Sequence, residues 1–171
     1  MALQIVSAHI EDCSACRFIG KRYTPADSMN GGYGHKWGEW WQNGWFAPID
    51  KLLHMPIVGD STMAAMHVVD GELEYWIGFF CPPDTDVPEG YEAIDVGPRS
   101  YAVLWKKGSE HNGELYGLEA HVLCLQELTK HGWKRVEDDW CFERYNCPRF
   151  TTPDANGEVI LDYGISVEVS S

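Results

Sequence analysis

The sequence predicts an α+β fold built from two halves that repeat one order of elements: strand, turn, strand, helix and hairpin. Two segments with helical periodicity indicate the repeat, because each follows a pair of strands and is followed by a hairpin of alternating strands. A polar, Pro-rich linker at about residues 82–90 separates the halves, which cover about 1–82 and 91–171. Since 171 residues is the length of one domain, we expect a single domain over residues 1–171.

Both helices are predicted from apolar residues that recur at helical spacing. In residues 36–53 the stripe repeats every fourth position and consists of Trp37, Trp41, Trp45, Ile49 and Leu53. Gly38, Gly44 and Pro48 interrupt this segment, so we expect a weak helix that bends near its middle. Residues 114–131 carry a cleaner leucine and valine stripe, with Asn112 as the predicted N-cap and Gly132 at the end.

Two hairpins are predicted from strands in which apolar and polar residues alternate. Residues 63–69 and 73–81 are joined by Asp70-Gly71, a pair of residues that favours a tight turn. Residues 140–150 and 158–169 are separated by Asn156-Gly157 and form the second hairpin. One side of each strand is more polar, which indicates that it faces solvent or a ligand.

The charge balance restricts the classes of partner. Twenty-six acidic against 13 basic residues give a formal net charge of −13. This charge repels phosphate backbones and anionic lipid, so we expect no direct nucleic-acid or membrane partner, and it favours cationic ligands. The N-terminal residues lack the pattern of a secretory signal, and no run of 18 apolar residues occurs, so the expected location is the cytoplasm.

Cysteines and histidines do not form a metal-binding pattern. Cys13 and Cys16 have the spacing of half a zinc knuckle or of a redox pair, but no second pair with this spacing follows. We therefore expect reduced, buried cysteines. The seven histidines show no ligand spacing, and the glycine-rich residues 30–34 lack a phosphate-binding motif. The sequence thus predicts neither a metal site nor a cofactor.

Several short motifs resemble the GyrI-like effector-binding family, in its stand-alone form. They are the acidic Pro-rich linker, residues 94–103 (IDVGPRSYAV), the helix from Glu114 and residues 142–145 (FERY). The resemblance implies one antiparallel sheet with two helices on one face and a ligand groove on the other. Members of the family include effector-binding domains of AraC- and MerR-type regulators, stand-alone binders of hydrophobic and often cationic compounds, and hydrolases that open the cyclopropane rings of DNA-alkylating natural products.

Glu143 is the leading candidate site residue. A carboxylate within the aromatic segment 140–145 needs a partner or a ligand, because burying an unpaired charge costs several kcal/mol. From the residues alone, a salt bridge to Arg22, Lys106 or Arg144 is the alternative explanation. The resemblance implies that Glu143 faces the ligand, and in the hydrolases it would be the catalytic general base.

Aromatic residues around Glu143 supply the other candidate ligand contacts. Tyr145 shares a strand face with Glu143. In residues 73–81, Glu74 and Gly78 lie in the more polar alternate set together with Trp76, so we expect Trp76 in the groove and Tyr75 in the core.

Three further aromatic residues complete the predicted ligand-binding set. Trp105 is a candidate wall of the groove, although a tryptophan near a strand end is also a common anchor. Trp40 lies off the main stripe of the first helix, and Tyr33 lies in the glycine-rich loop before it, so both are predicted to reach the ligand.

The sequence and the resemblance together leave three functions open. The first is cytoplasmic binding, for sensing or sequestration, of a hydrophobic, aromatic small molecule that is cationic or neutral, which the 8 Trp, 8 Tyr and 6 Phe favour. The second is cyclopropane hydrolysis with Glu143 as general base on a water molecule. The third is inhibition of DNA gyrase by protein contact, as the resemblance implies for some relatives.

Overall fold

A computed structural model describes residues 3–52, 63–145 and 147–168, and within them eight strands form one sheet. The strands are β1 (Gln4–Cys13), β2 (Cys16–Tyr23), β3 (Met63–Val69), β4 (Glu72–Cys81), β5 (Glu92–Val96), β6 (Arg99–Ser109), β7 (Cys141–Arg144) and β8 (Glu158–Val167). Their order is β1-β6-β8-β7-β3-β4-β2-β5, and neighbouring strands are antiparallel. The predicted α+β class with one antiparallel sheet is confirmed.

Four α-helices accompany the sheet in the described part of the chain. They are α1 (Gly34–Asn43), α2 (Phe46–Asp50), α3 (Leu118–His131) and α4 (Pro148–Thr151). A single 3₁₀ turn, Pro25–Asp27, lies between β2 and α1. Within the described ranges, none of these helices has the length and apolar character that crossing a membrane requires.

The first predicted helix is divided at Gly44. This glycine has a φ of 65°, and its amide donates a hydrogen bond to the Trp40 carbonyl, which ends α1. Helix α2 then begins at Phe46 and tolerates Pro48 in its first turn, where a missing amide hydrogen costs little. Leu53, the predicted end of the segment, lies outside the described residues.

The second predicted helix begins four residues late. Asn112 Oδ1 accepts a hydrogen bond from the Glu114 amide at 3.0 Å, but this bond closes a turn and does not cap the helix. The residue that precedes α3 is Gly117, with a φ of 88°, which a residue with a side chain rarely adopts. The predicted helix end is observed, because Gly132 adopts the left-handed conformation there.

The predicted strand over residues 140–150 is shorter than expected. Strand β7 ends at Arg144, and α4 starts at Pro148, whose fixed φ and missing amide hydrogen suit the first position of a helix. The predicted partner strand ends at Val167 in the structure, and Val169 lies outside the described residues.

The first strand of each half pairs with the other half. Strand β1 is hydrogen-bonded to β6, and β5 is hydrogen-bonded to β2. The pairing of β3 with β7 joins the halves in the middle of the sheet. Each half therefore provides an edge strand for the other half.

Alternation along the strands separates two faces of the sheet. On one face, Tyr75 and Ile77 belong to the cluster that contains Trp40 of α1, while Leu104 belongs to the cluster that contains Leu128 of α3. The opposite face holds an aromatic cluster, and its large buried members are Phe18, Trp76, Phe80, Tyr101, Trp140 and Phe142. Both faces are therefore packed, one against helices and one by its own aromatic side chains.

Gly164 on β8 allows the Phe142 ring to pack against the sheet. A Cβ atom at position 164 would lie 2.2 Å from Phe142 Cε2. We expect Gly164→Ala to lower the free energy of unfolding by about 1–3 kcal/mol, because overpacking a filled core forces side chains from their rotamers. Urea denaturation measures this difference.

Gly38 in α1 provides a matched glycine without a packing role. The position that a Cβ atom would occupy there has no neighbour within 4 Å. Gly38→Ala should raise the free energy of unfolding by about 0.5–1 kcal/mol through helix propensity. Equal effects of the two substitutions in the same urea experiment would contradict the packing role of Gly164.

Candidate functional site

A cavity of about 870 Å³ lies between α1, α3 and the sheet. Its aromatic lining residues are Tyr33, Trp37, Tyr75, Tyr116, Tyr145 and Tyr163. Its ionisable lining residues, apart from the tyrosines, are His67, Lys106, His121, Arg135, Asp138, Asp139, Cys141 and Glu143. The cavity lies on the face that carries the helices, whereas the resemblance implied a groove on the opposite face. That opposite face is occupied by the aromatic cluster around Phe142.

Glu143 faces this cavity from β7. Its side chain is 12% exposed, and its neighbours across the sheet are Ala64 on β3 and Tyr163 on β8. Removal from water raises the pKa of the Glu143 carboxyl, and this effect exceeds the opposing effects of the Lys106 charge and a hydrogen bond with Tyr145. The protonated form is therefore stabilised relative to a carboxyl in water.

Four tyrosine side chains surround the Glu143 carboxylate. Burial is the main cause that raises the pKa of Tyr75, Tyr116, Tyr145 and Tyr163, and the negative charge of Glu143 adds to it. For Tyr116 the pKa rises to about 12. All four hydroxyls keep their protons at neutral pH, and the Tyr145 hydroxyl donates a hydrogen bond to the Glu143 carboxylate.

Lys106 on β6 is the basic side chain nearest to Glu143. Its Nζ atom lies 3.9 Å from Glu143 Oε2, and its side chain is only 3% exposed. The same Nζ donates a hydrogen bond to the Leu115 carbonyl at 2.7 Å and lies 4.2 Å from the centroid of the Tyr163 ring. Lys106 thus has three partners, and its contact with Glu143 is longer than a hydrogen bond.

The other two bases that sequence reasoning offered as partners of Glu143 bind different carboxylates. Arg144 follows Glu143 on β7 and points to the opposite face, where its Nε lies 2.9 Å from Asp162 and its guanidinium also contacts Glu11 at 2.9 Å. Arg22 lies 3.1 Å from Glu74. Lys106 is therefore the observed partner among the three alternatives.

A wall of aromatic rings borders the cavity on the α1 side. Tyr33 and Tyr75 stack with ring centroids 4.2 Å apart and an interplanar angle of 7°. Trp37 Nε1 donates a hydrogen bond to the Tyr75 hydroxyl at 2.9 Å, and the Trp37 ring meets Tyr145 edge-on at 5.0 Å. These contacts hold the rings of the wall in fixed positions relative to one another.

His121 supplies a neutral polar group on the α3 side. Its Nδ1 lies within hydrogen-bonding distance, 2.8 Å, of the Tyr163 hydroxyl. Burial, helped by the positive charges of Arg135 and Lys106, lowers the pKa of His121. The imidazole is therefore uncharged at neutral pH.

Three of the predicted site residues line the cavity. Glu143 and Tyr145 face it from the end of β7, and Tyr33 borders it from the loop before α1. The structure brings these three together, and their contact with a ligand remains a prediction.

The structure places the three predicted tryptophans elsewhere. Trp76 packs edge-on against Phe18 in the aromatic cluster of the opposite face, so it does not line the cavity. Tyr75 lies in the helix-facing core as predicted, and it also lines the cavity. Trp105 also faces that side, where Arg149 lies over its ring at 4.3 Å. Trp40 is fully buried.

Physical reasons account for these corrections. The polar residue beside Trp76, Glu74, is held by Arg22 at 3.1 Å and by His67 at 2.7 Å, so its polarity marked an ion-paired strand end and not a ligand site. Trp40 buries its ring in the core because Tyr23 accepts a hydrogen bond from its Nε1 at 2.9 Å.

Sequence reasoning missed Tyr75, Trp37 and Lys106 as cavity residues. Lys106 could have been recognised from its position two residues after Leu104 and four after Ala102 on β6. Side chains at this spacing lie on the same face of a strand, and these two apolar residues face the helices. Trp37 belonged to the main stripe of the first helical segment, and a cavity-lining role could not be separated there from a core role.

The described residues contain no group of three or more His, Cys, Asp or Glu side chains placed to hold a metal ion. The six cysteines are free thiols, and all except Cys147 are buried. Cys13 and Cys16 both belong to the aromatic cluster on the face opposite the cavity.

Comparison with known proteins gives a match to solved structures only. No protein-family model matches the chain, and no curated protein matches it in sequence. The structure of SAV2435 bound to tetraphenylphosphonium matches with a TM-score of 0.68 and 14% identity, covering 95% of this chain and 94% of that one. The EcmrR C-terminal domain matches with a TM-score of 0.62 and 12% identity, covering 96% and 98%. An integron cassette protein from Vibrio cholerae matches with a TM-score of 0.53 and 16% identity, covering 97% and 99%.

The chain has the GyrI-like fold. The resemblance indicated by residues 94–103 and 142–145 is thereby confirmed at the level of the fold. In this fold, the cavity lies where the aromatic wall beside α1 meets the Glu143 and Lys106 pair near α3.

Glu143→Gln tests the cost of the buried carboxylate. The pKa of Glu143 is raised in the folded protein above its ordinary value of 4.5, so the folded state holds this proton more tightly than the unfolded chain. The contribution of Glu143 to stability therefore falls as pH rises from 4.5 through the folded-state pKa. We expect Glu143→Gln to raise the melting temperature relative to wild type at pH 7–8, and this gain to shrink towards pH 4.5.

Thermal unfolding followed by circular dichroism at several pH values measures this difference. Glu89→Gln is the matched control, because Glu89 is exposed in the linker and should show no such trend. A gain for Glu143→Gln that grew as pH fell would contradict the raised pKa.

Proposed function

We propose that this protein binds a hydrophobic, aromatic small molecule, cationic or neutral, in the cavity around Glu143, for sensing or sequestration. The observation that carries this proposal is one cavity of about 870 Å³ that combines six aromatic side chains with a largely buried carboxylate. Ring faces remove a flat ligand from water, while the carboxylate and the tyrosine hydroxyls provide directed polar contacts.

Proteins of the same fold support small-molecule binding. SAV2435 was solved with tetraphenylphosphonium, a hydrophobic cation that carries four aromatic rings. EcmrR, whose C-terminal domain matches this chain, was solved in a complex with DNA. The fold therefore occurs both with a bound aromatic compound and as part of a DNA-associated protein, which agrees with a role as an effector-binding module.

The proposal includes a cytoplasmic location and no direct nucleic-acid or membrane partner. Six free cysteines are typical of a reducing compartment. The net charge of −13 opposes contact with phosphate backbones and anionic lipids.

Tryptophan fluorescence tests binding in the cavity, because Trp37 lines it whereas Trp41 is 67% exposed and lies outside the lining. Wild type, Trp37→Phe and Trp41→Phe are titrated with tetraphenylphosphonium, flat cationic dyes and neutral aromatic compounds. We expect saturable quenching in wild type and Trp41→Phe, and most of it lost in Trp37→Phe. No change with any compound, or equal quenching in Trp37→Phe, would count against binding at this cavity.

The raised pKa of Glu143 favours a second function, the hydrolysis of cyclopropane rings in DNA-alkylating natural products. A carboxylate with a raised pKa is a stronger base towards water. Water would add its hydroxyl to a ring carbon while Glu143 takes the proton. The strained C–C bond would break, and its electron pair would pass to a conjugated carbonyl oxygen of the substrate, which then receives the proton.

Turnover of a cyclopropane-containing compound, followed by chromatography, tests this second function. We expect many turnovers per wild-type molecule and a loss of about 100-fold or more in Glu143→Gln, because general-base catalysis contributes that order of rate. Glu89→Gln should keep the wild-type rate. If wild type converts only one molecule of the compound per protein molecule, or if Glu143→Gln keeps full turnover, Glu143 is not the general base.

A further inference from the structure

Lys106 occupies the position where a bound cation would be most stable. Its Nζ atom lies 3.9 Å from the Glu143 carboxylate and 4.2 Å from the centroid of the Tyr163 ring. A carboxylate combined with an aromatic face within about 6 Å is the arrangement that stabilises a cation. The protein thus places one of its own cations against both groups.

The position of Lys106 is fixed by its surroundings. Strand β6 lies between β1 and β8, and Lys106 is paired there with Ile5 and Leu161. Its Nζ donates a hydrogen bond to the Leu115 carbonyl at 2.7 Å, and the residue is 2% exposed. Moving Lys106 aside for a ligand would break this bond and bury an unpaired carbonyl.

The other two carboxylates of the lining do not replace Glu143 as an anion at the tyrosine-rich end, because Asp138 is exposed and Asp139 has partners of its own. Asp139 is held by Arg99 through contacts of 2.8 and 3.0 Å and also accepts a hydrogen bond from Ser166. His121 is uncharged at neutral pH because burial lowers its pKa. Glu143 is thus the carboxylate that the surrounding tyrosines share, and Lys106 balances its charge.

We propose that Lys106 is a specificity-determining residue that makes the cavity prefer neutral aromatic ligands over monovalent cations of similar shape. This inference rests on the proposed small-molecule binding and names its ligand class. A ligand cation at the tyrosine-rich end would lie close to the Lys106 ammonium, and repulsion between like charges is strong where water is excluded. The net charge of −13 attracts cations to the surface, but it mainly affects the association rate.

A neutral ligand would use the same groups as hydrogen-bond donors. The hydroxyls of Tyr75 and Tyr116 keep their protons, because their pKa values are raised by burial and by the charge of Glu143, whereas the Tyr145 hydroxyl already donates to Glu143. Lys106 contributes further N–H donors. The ligand class is therefore a neutral compound with several aromatic rings and one strong acceptor, such as a carbonyl or phosphoryl oxygen.

Isothermal titration calorimetry with two probes of similar shape tests the inference. The cation is tetraphenylphosphonium, and the neutral probe is triphenylphosphine oxide, which carries a phosphoryl acceptor. The measured quantity is the ratio of the two dissociation constants at pH 7 and fixed ionic strength. We expect wild type to bind the neutral probe more tightly, and Lys106→Met to shift the ratio towards the cation by about tenfold or more.

Three control variants separate charge from packing. Lys106→Arg keeps the positive charge and should keep the neutral probe as the preferred ligand. Glu143→Gln leaves Lys106 without its counter-charge and should weaken cation binding further. The double variant Lys106→Met with Glu143→Gln removes both charges and should restore an intermediate ratio, and it avoids an unpaired buried carboxylate if Lys106→Met alone folds poorly.

The possible results distinguish this inference from the proposed function. Tighter binding of the cation by wild type, or an unchanged ratio in Lys106→Met and in the double variant, would overturn the role of Lys106 while small-molecule binding stands. If wild type and all variants bind neither probe and no compound of the fluorescence panel, the proposed function fails and the inference fails with it.

Discussion

The two-residue period of a β-strand determines which side chains reach the cavity. Side chains of consecutive residues point to opposite faces of the sheet. Glu143 therefore faces the cavity and Arg144 faces away from it. In the same way, Lys106 faces the cavity and Trp105 faces away. A shift of one residue in the register of β7 would exchange a carboxylate for a guanidinium at the centre of the site. Turns and helix boundaries can vary around the sheet, but the face to which each strand residue points cannot change without altering the site.

Buried carboxylates are paired more closely with basic groups on one face of the sheet than on the other. On the face away from the cavity, Asp162 is fully buried and receives guanidinium groups from both Arg144 and Arg149 at 2.9 Å or less. In the cavity, Glu143 has its basic partner only at 3.9 Å, and its carboxyl pKa is raised. Removing one partner of the Asp162 cluster would leave a buried charge unpaired, whereas Glu143 has no basic partner at hydrogen-bonding distance among the described residues.

Much of the fold, but only part of the site, could be predicted from sequence. Periodicity identified the sheet class, both helical segments and the end of α3 at Gly132, because these depend on local patterns. Glu143 was recognisable as a carboxylate in an aromatic strand. Trp76 and Tyr75 were assigned to the correct faces of β4 relative to the helices, but the cavity was expected on the Trp76 side, because the ion-paired Glu74 made that side more polar. Which polar residues are paired depends on strand order, and strand order is not visible in a local pattern.

The exchange of edge strands between the halves has a consequence for how the chain folds. Residues paired between β1 and β6 are 86 to 103 positions apart, so forming this ladder requires the closure of a long loop. Strand β6 carries Lys106 and lies between β1 and β8. Lys106 therefore lies on a strand that is held on one side by the first half and on the other by the second, so each half depends on the other for its part of the sheet.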